Sequence, residues 1–225
     1  MPNSDPEPGM RDNLAEVAAQ RRQRIEAAAA RIRPLLLPGT DLAIVAGSGL
    51  SGLGDRLSAS RRIDYADIPA WPRSTVAGHA GQLVLGQLAG RPLIVAAGRA
   101  HLYEGYDAFD ASFNIRVFLA LGIRTLVITN AAGGLNPDYA PGDLMLIADH
   151  INLPGMAGSN PLVGPNDDAQ GPRFPGIAGA YDLELQARAL AAGRDLGFAM
   201  HSGVYAMVSG PSFETPAEGR FLLAL

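Results

Sequence analysis

Four times along this chain a short apolar run empties into a loop of glycine, small or basic residues. Asp41–Ala46 runs into Gly47-Ser48-Gly49-Leu50-Ser51-Gly52, and Pro92–Ala97 into Gly98-Arg99-Ala100-His101. Thr125–Thr129 runs into Asn130-Ala131-Ala132-Gly133-Gly134, and Val204–Val208 into Gly210-Pro211-Ser212-Phe213-Glu214-Thr215. Runs of this length bounded by turn residues read as buried strands. Gln82–Leu88 and Pro92–Ala97 flank Ala89-Gly90 as the arms of a hairpin, and Leu144–Ala148 is a further strand. Helical spacing separates them. Leu14, Val17, Ala18, Ile25, Ala28, Ala29 and Ile32 share one face of a helix capped by Asn13 and closed by Pro34 and Pro38. Asp110–Leu121 ends at Gly122, Tyr181–Leu196 is helical, and Pro216 suits the first position of a last helix. Strands alternating with helices, plus a hairpin, predict an α/β fold: a single domain over 11–225, with a mixed twisted sheet flanked by helices. Met1–Met10, polar and Pro-rich, reads as a flexible tail, and Asn152–Gly179 as a long functional or mobile loop. In open α/β sheets ligands gather outside the strand ends, where these loops lie.

Composition removes several chemistries. The chain has 225 residues and no cysteine, which excludes disulfides and thiolate nucleophiles. All 18 basic residues are arginine, so neither a Schiff-base lysine nor a Walker-type phosphate lysine is available. Net charge is −4 with scattered positive residues, which predicts a small-molecule partner and no nucleic acid. Arg124 interrupts the apolar stretch Val117–Ile128, and no charged-then-apolar leader opens the chain. A soluble, cytoplasmic protein with no membrane association is the expectation.

The loops carry anion-binding chemistry, each beside a plainer reading. Gly47-Ser48-Gly49-Leu50-Ser51-Gly52 matches G-x-G-x-x-G, but Asp55–Pro72 offers no convincing second strand of the dinucleotide-binding kind. Backbone N–H groups and the Ser48 hydroxyl would suit an anion; an ordinary glycine-rich turn would look the same. Arg99 and His101, one residue apart, face one side of an extended segment and offer two donors to an anion, unless they mark a solvated strand end. His79 sits between glycines in Gly78-His79-Ala80-Gly81, where a ligand or a backbone bond would satisfy it equally. The small residues around Ala131 suit either amide donors or tight helix packing. Glu214 beside Phe213 suits a flat ring with N–H groups, or the dipole of the following helix. His150 and His201 read as structural. No H-E-x-x-H and no G-x-S-x-G is present, so zinc hydrolase and α/β-hydrolase chemistry are unsupported, and no metal is expected.

Taken in order and spacing, Gly47-Ser48-Gly49-Leu50, Gly78-His79-Ala80-Gly81, Gly98-Arg99-Ala100-His101-Leu102-Tyr103-Glu104-Gly105-Tyr106, Asn130-Ala131-Ala132-Gly133-Gly134 and Gly210-Pro211-Ser212-Phe213-Glu214-Thr215 resemble the trimeric purine nucleoside phosphorylase family. Asp149-His150-Ile151-Asn152-Leu153-Pro154-Gly155 and Gly164-Pro165-Asn166-Asp167 also fit it. The resemblance implies a nucleoside phosphorylase-like fold and reversible phosphorolysis of inosine, guanosine and their 2′-deoxy analogues to free base and (deoxy)ribose 1-phosphate in purine salvage. It implies a homotrimer for the full-length family member, no cofactor, and inorganic phosphate as co-substrate. By similarity, Ser48, His79, Arg99, His101 and the Ala131 amide hold phosphate, Tyr103 and Phe213 border the ribose, and Glu214 binds the purine edge; His101 and Glu214 are the catalytic candidates. Met156 stands where many family members place a phenylalanine that reaches a neighbouring subunit's pocket. The family pattern also continues past Leu225 to a phosphate-binding serine, a purine-binding asparagine and a sugar-binding histidine, so a chain ending there is expected to bind phosphate poorly and to turn over very slowly. Methylthioadenosine phosphorylase and a non-catalytic nucleotide-binding module are the alternatives. Glu214 argues against the first, since adenine carries no N1 proton for a carboxylate to accept.

Overall fold

The computed structural model describes residues 8–75 and 81–225. The chain is an α/β protein, and the expected domain is built from two compact units: residues up to Ala131 with Pro161–Gln170, and Ala132–Asn160 with Gly171–Leu225.

The first unit opens with α1, Pro8–Ile32, so the helix begins inside the segment expected to be a tail, and Asn13 lies within it instead of capping it. Proline at the first helical position loses nothing, because that N–H has no partner inside a helix. Only the C-terminal half of α1 is buried: Ile25, Ala28, Ala29 and Ile32 are 0–3% exposed, whereas Leu14 is 40% exposed. The strands β1 (Leu42–Ala46), β2 (Ser58–Asp64), β3 (Gln82–Leu88) and β4 (Arg91–Ala97) follow, then α2 (Ala108–Ala111), α3 (Phe113–Ala120) and β5 (Thr125–Ile128). They build one five-stranded sheet in the order β2-β3-β4-β1-β5. β4, β1 and β5 are parallel, while β2, β3 and β4 are antiparallel neighbours, so the sheet is mixed.

Side-chain alternation explains the layering. Ala43 and Val45 of β1, Leu83 and Leu85 of β3, and Ile94 and Ala96 of β4 meet α1, α2 and α3 in the main core, with Trp71, Phe113 and Phe118. The residues between them, Ala46, Val84, Leu93 and Val95, pack on the opposite face against Leu57 and Leu53. The hairpin turns on Ala89 and Gly90, both at positive φ (50° and 79°), as the two-residue turn that matches strand twist demands.

Two further elements differ from expectation. β2 was not legible, because in Ser-Ala-Ser-Arg-Arg-Ile-Asp only Ile63 is buried and no apolar alternation marks the strand. It is an edge strand, and it bulges between Ser58 and Arg61 where Gly86 of β3 leaves room: a Cβ there would lie 2.8 Å from the Ser58 carbonyl oxygen. The helix expected over Asp110–Leu121 is broken into α2 and α3 at Ser112. Its hydroxyl donates to the Ala108 and Phe109 carbonyls (2.8 and 3.2 Å), competing with the helix's own bonds.

In the second unit, β6 (Leu144–Asn152) and β7 (Met200–Met207) pair in parallel across the helix α5 (Leu183–Asp195). A short turn of helix, α4 (Leu153–Met156), follows β6, and α6 (Pro216–Ala224) follows β7. Within the first unit, arginines pin down Pro161–Gln170 from the segment expected to be a long loop. Arg22 grips Asp167 through both guanidinium arms (3.1 and 2.9 Å), and Arg116 donates to Gln170 and the Pro161 carbonyl (2.8 and 3.0 Å).

Candidate functional site

β4, β1 and β5 lie side by side and run the same way, so the loops leaving their carboxyl ends emerge along one edge of the sheet. These are the loops carrying Arg99, Ser48 and Ala131. Topology therefore brings together three of the residues selected from sequence.

From β1, the buried Gly47 donates its N–H to Thr129 Oγ1 at 2.8 Å, and Ser48, exposed, follows it. A side chain at position 47 has no room, since a Cβ would sit 2.4 Å from the Thr129 carbonyl oxygen. From β4, Gly98 donates to the Ala46 carbonyl (3.3 Å) and accepts from the Tyr65 hydroxyl (2.7 Å), which fixes the backbone one residue before Arg99. Burial pushes the Tyr65 hydroxyl pKa upward, so it remains a donor. Arg99, half-buried, reaches past the end of β1 and donates from Nη1 to the Thr129 carbonyl at 2.7 Å. From β5, Asn130 bonds the Ala131 carbonyl through its side-chain amide (3.2 Å), and Ala131 is exposed.

His101 takes different partners from Arg99. Its backbone N–H and ring Nδ1 both meet Glu104 Oε1, at 2.9 and 2.8 Å, and its ring stacks on Tyr103 with centroids 4.7 Å apart and planes 11° from parallel. Glu104 also accepts from Thr75 Oγ1 at 2.8 Å, the Thr75 backbone N–H and the Ser74 hydroxyl. Burial alone would raise the Glu104 pKa, but hydrogen bonds from Thr75 and His101 outweigh it and bring it down to about 2. The carboxylate is thus ionised at neutral pH, Nδ1 of His101 is the nitrogen that donates to it, and the ring is held in one orientation with Nε2 as its other polar atom. Tyr103, which is 44% exposed, lies against that ring.

Other residues selected from sequence belong to the second unit. Met156 ends α4 and is 79% exposed; Phe213 is 95% exposed, and Glu214 beside it is also exposed. Glu214 directly precedes Thr215, the cap of α6. Thr215 caps α6, accepting from the Glu218 N–H, and Glu218 returns the bond to the Thr215 N–H at 2.7 Å. His150 Nδ1 pairs with the Tyr181 hydroxyl (2.9 Å), and His201 Nε2 with Asp143 (2.9 Å) beside the Tyr139 ring. His79 lies outside the described residues. Among the described residues no group of three or more His, Asp or Glu side chains could hold a metal ion. Among them, too, no helix is long and apolar enough to cross a membrane.

Sequence reasoning missed Glu104, Thr129 and Tyr65 as contributors. Glu104 carried a usable signal, since an acid three residues after a helix-capping side chain is the capping-box spacing, here His101 to Glu104. Thr129 and Tyr65 act through partners 30 and 33 residues away, which no local pattern reveals.

Arg99, the Glu104-held His101 and the Ser48 and Ala131 loops follow the strand ends of an open α/β sheet, and the phosphorylase superfamily model matches residues 41–225. The mouse purine nucleoside phosphorylase is 50% identical over 186 residues, covering 82% of this chain and 64% of its own length. The purine nucleoside phosphorylase 1 of Bacillus subtilis is 48% identical over 201 residues, covering 89% of this chain and 73% of its own. A crystal structure of the Schistosoma mansoni purine nucleoside phosphorylase in complex with inosine superposes with a TM-score of 0.84 at 41% identity, over 90% of this chain and 71% of that one. The chain belongs to the purine nucleoside phosphorylase family. It spans 64% of the length of the mouse relative.

Proposed function

We propose that this chain carries the phosphate, sugar and base groups of a purine nucleoside phosphorylase, a pentosyltransferase acting on inosine, guanosine and their 2′-deoxy analogues. The observation that carries the reading is the edge formed by the carboxyl ends of β4, β1 and β5, from which Arg99, Ser48 and Ala131 emerge beside the Glu104-held His101. Relatives named as purine nucleoside phosphorylases and a solved neighbour in complex with inosine support it.

The chemistry suits a chain without lysine or cysteine. Phosphate itself is the nucleophile: one of its oxygens bonds to the anomeric carbon as the bond to purine N9 breaks. The purine leaves with the electron pair and takes up the proton that phosphate gives up. The positive charge that develops on the sugar is stabilised by the anion beneath it, so the protein's task is to hold phosphate in place before reaction. Ser48, His79, Arg99, His101 and the Ala131 amide do this. Tyr103 and Phe213 border the ribose, Met156 supplies an apolar contact, and Glu214 accepts the N1–H of a 6-oxopurine. His101 is a positioner of phosphate. No cofactor or metal enters, and phosphate is a co-substrate. The full-length family member assembles as a homotrimer, and the reaction belongs to cytoplasmic purine salvage.

The test is binding and turnover by the chain as it stands. Inorganic phosphate binds weakly and inosine binds in calorimetric titrations, Arg99→Ala abolishes the phosphate isotherm, and the slow release of hypoxanthine from inosine depends on added phosphate and exceeds release of adenine from 5′-methylthioadenosine. Absence of phosphate binding, or hydrolysis independent of phosphate, overturns the reading.

A further inference from the structure

We infer that Thr129 is a positioning residue that sets the register of the three phosphate-side loops, a role that rests on the phosphorolysis reading above. Thr129 is hydrogen-bonded to two of these loops and leads directly into the third. Its backbone N–H and its Oγ1 both donate to the Val45 carbonyl, at 3.0 and 3.1 Å. Oγ1 accepts from the Gly47 N–H at 2.8 Å, and the Thr129 carbonyl accepts from Arg99 Nη1 at 2.7 Å. The chain then continues directly into Asn130-Ala131.

A threonine hydroxyl has one proton and two lone pairs. With its proton given to Val45, its lone pair is turned toward Gly47, so the side chain binds β1 on both sides of Ala46. The Ser48 loop therefore leaves the sheet at a height set by β5. Arg99 is bound to the same residue through the main chain, so its guanidinium is referenced to the same point. Gly47 completes the fit: the space a Cβ would take is filled by the Thr129 carbonyl. Thr129 need not touch phosphate; it fixes the spacing of groups that do.

The two functions of the residue separate on mutation. Thr129→Val keeps the shape and the carbonyl that holds Arg99, but leaves the buried Gly47 N–H facing a methyl group. Thr129→Ser keeps the hydroxyl and loses only the methyl. Calorimetric titration with inorganic phosphate, a parallel titration with inosine, and thermal melting are run on the chain and both variants. T129V is expected to bind phosphate roughly tenfold more weakly, as a displaced backbone donor would give, with inosine affinity unchanged. T129S is expected to stay within about threefold of the parent for phosphate. Equal phosphate affinity in T129V with a lowered melting temperature overturns the inference, since it shows a structural role only. A loss in T129S as large as in T129V overturns it as well, because the hydroxyl is then not the active feature. If T129V does not fold, Thr129→Ala removes the same hydroxyl with less steric demand and is judged by the same criteria. Failure of the unmutated chain to bind phosphate overturns instead the reading on which the inference rests.

Discussion

Replacing Glu104 by glutamine changes one charge in a side chain that is 2% exposed, and its effect follows from the bonds that side chain accepts. Oε1 takes the His101 backbone N–H and ring Nδ1; Oε2 takes the Thr75 backbone N–H and hydroxyl. Each oxygen therefore faces a main-chain donor, and an amide nitrogen in either position opposes an N–H with no acceptor. A carboxyl that titrates at about 2 in the folded chain instead of 4.5 holds its ionised form by roughly 3 kcal/mol. Solvent reaching the rim of the site trims this, so Glu104→Gln is expected to cost about 2–3 kcal/mol at pH 7. The sign in pH is set by the depressed pKa. The unfolded chain takes up this proton first as pH falls, so the contribution is complete above pH 4.5 and lost between there and pH 2. Urea unfolding of both proteins from pH 7 to pH 3 reads the difference, which cancels the other titrating groups. The gap should fall to roughly half its neutral value at pH 3. A variant within about 0.5 kcal/mol of the parent at pH 7, or a gap that stays constant on acidification, refutes the account of Glu104 as an ionised clamp on His101.

Gly47→Ala should lower stability by ~1–3 kcal/mol and weaken phosphate binding, because the new Cβ meets the Thr129 backbone at 2.4 Å; an unchanged phosphate isotherm would contradict the close packing of the two loops. Tyr65→Phe keeps the ring against Trp71 but removes the hydroxyl that Gly98 accepts from, with an expected loss of about 1–2 kcal/mol in chemical denaturation and weaker phosphate binding. Phe113→Ala empties a site that is 0% exposed and should cost ~3–5 kcal/mol. Because Phe113 meets the chain's one tryptophan, Trp71, edge-on at 6.2 Å, a shift in Trp fluorescence should accompany it, and an unshifted spectrum would count against that packing.

The amino-acid sequence determined those features whose causes are local. Apolar runs bounded by glycine set the strands that lead into the loops, and Ala89-Gly90 and Pro216 marked a hairpin turn and a helix start that the fold contains. The order and spacing of the loop residues, Arg99 and His101 among them, carried the family resemblance. Other features depend on partners distant in the chain. β2 exists because β3 offers it an edge, not because its own residues alternate, and the break at Ser112 follows from bonds its hydroxyl makes within the folded helix pair. Sheet order placed β1 between β4 and β5, and this adjacency made Thr129 common to two loops, while Thr75, 29 residues away in the chain, gave the Glu104 carboxylate donors beyond its local partner His101. Sequence specifies which groups are available; their hydrogen-bond partners are chosen by strands that meet only after folding, because distance in the chain says nothing about which donor a buried acceptor will face.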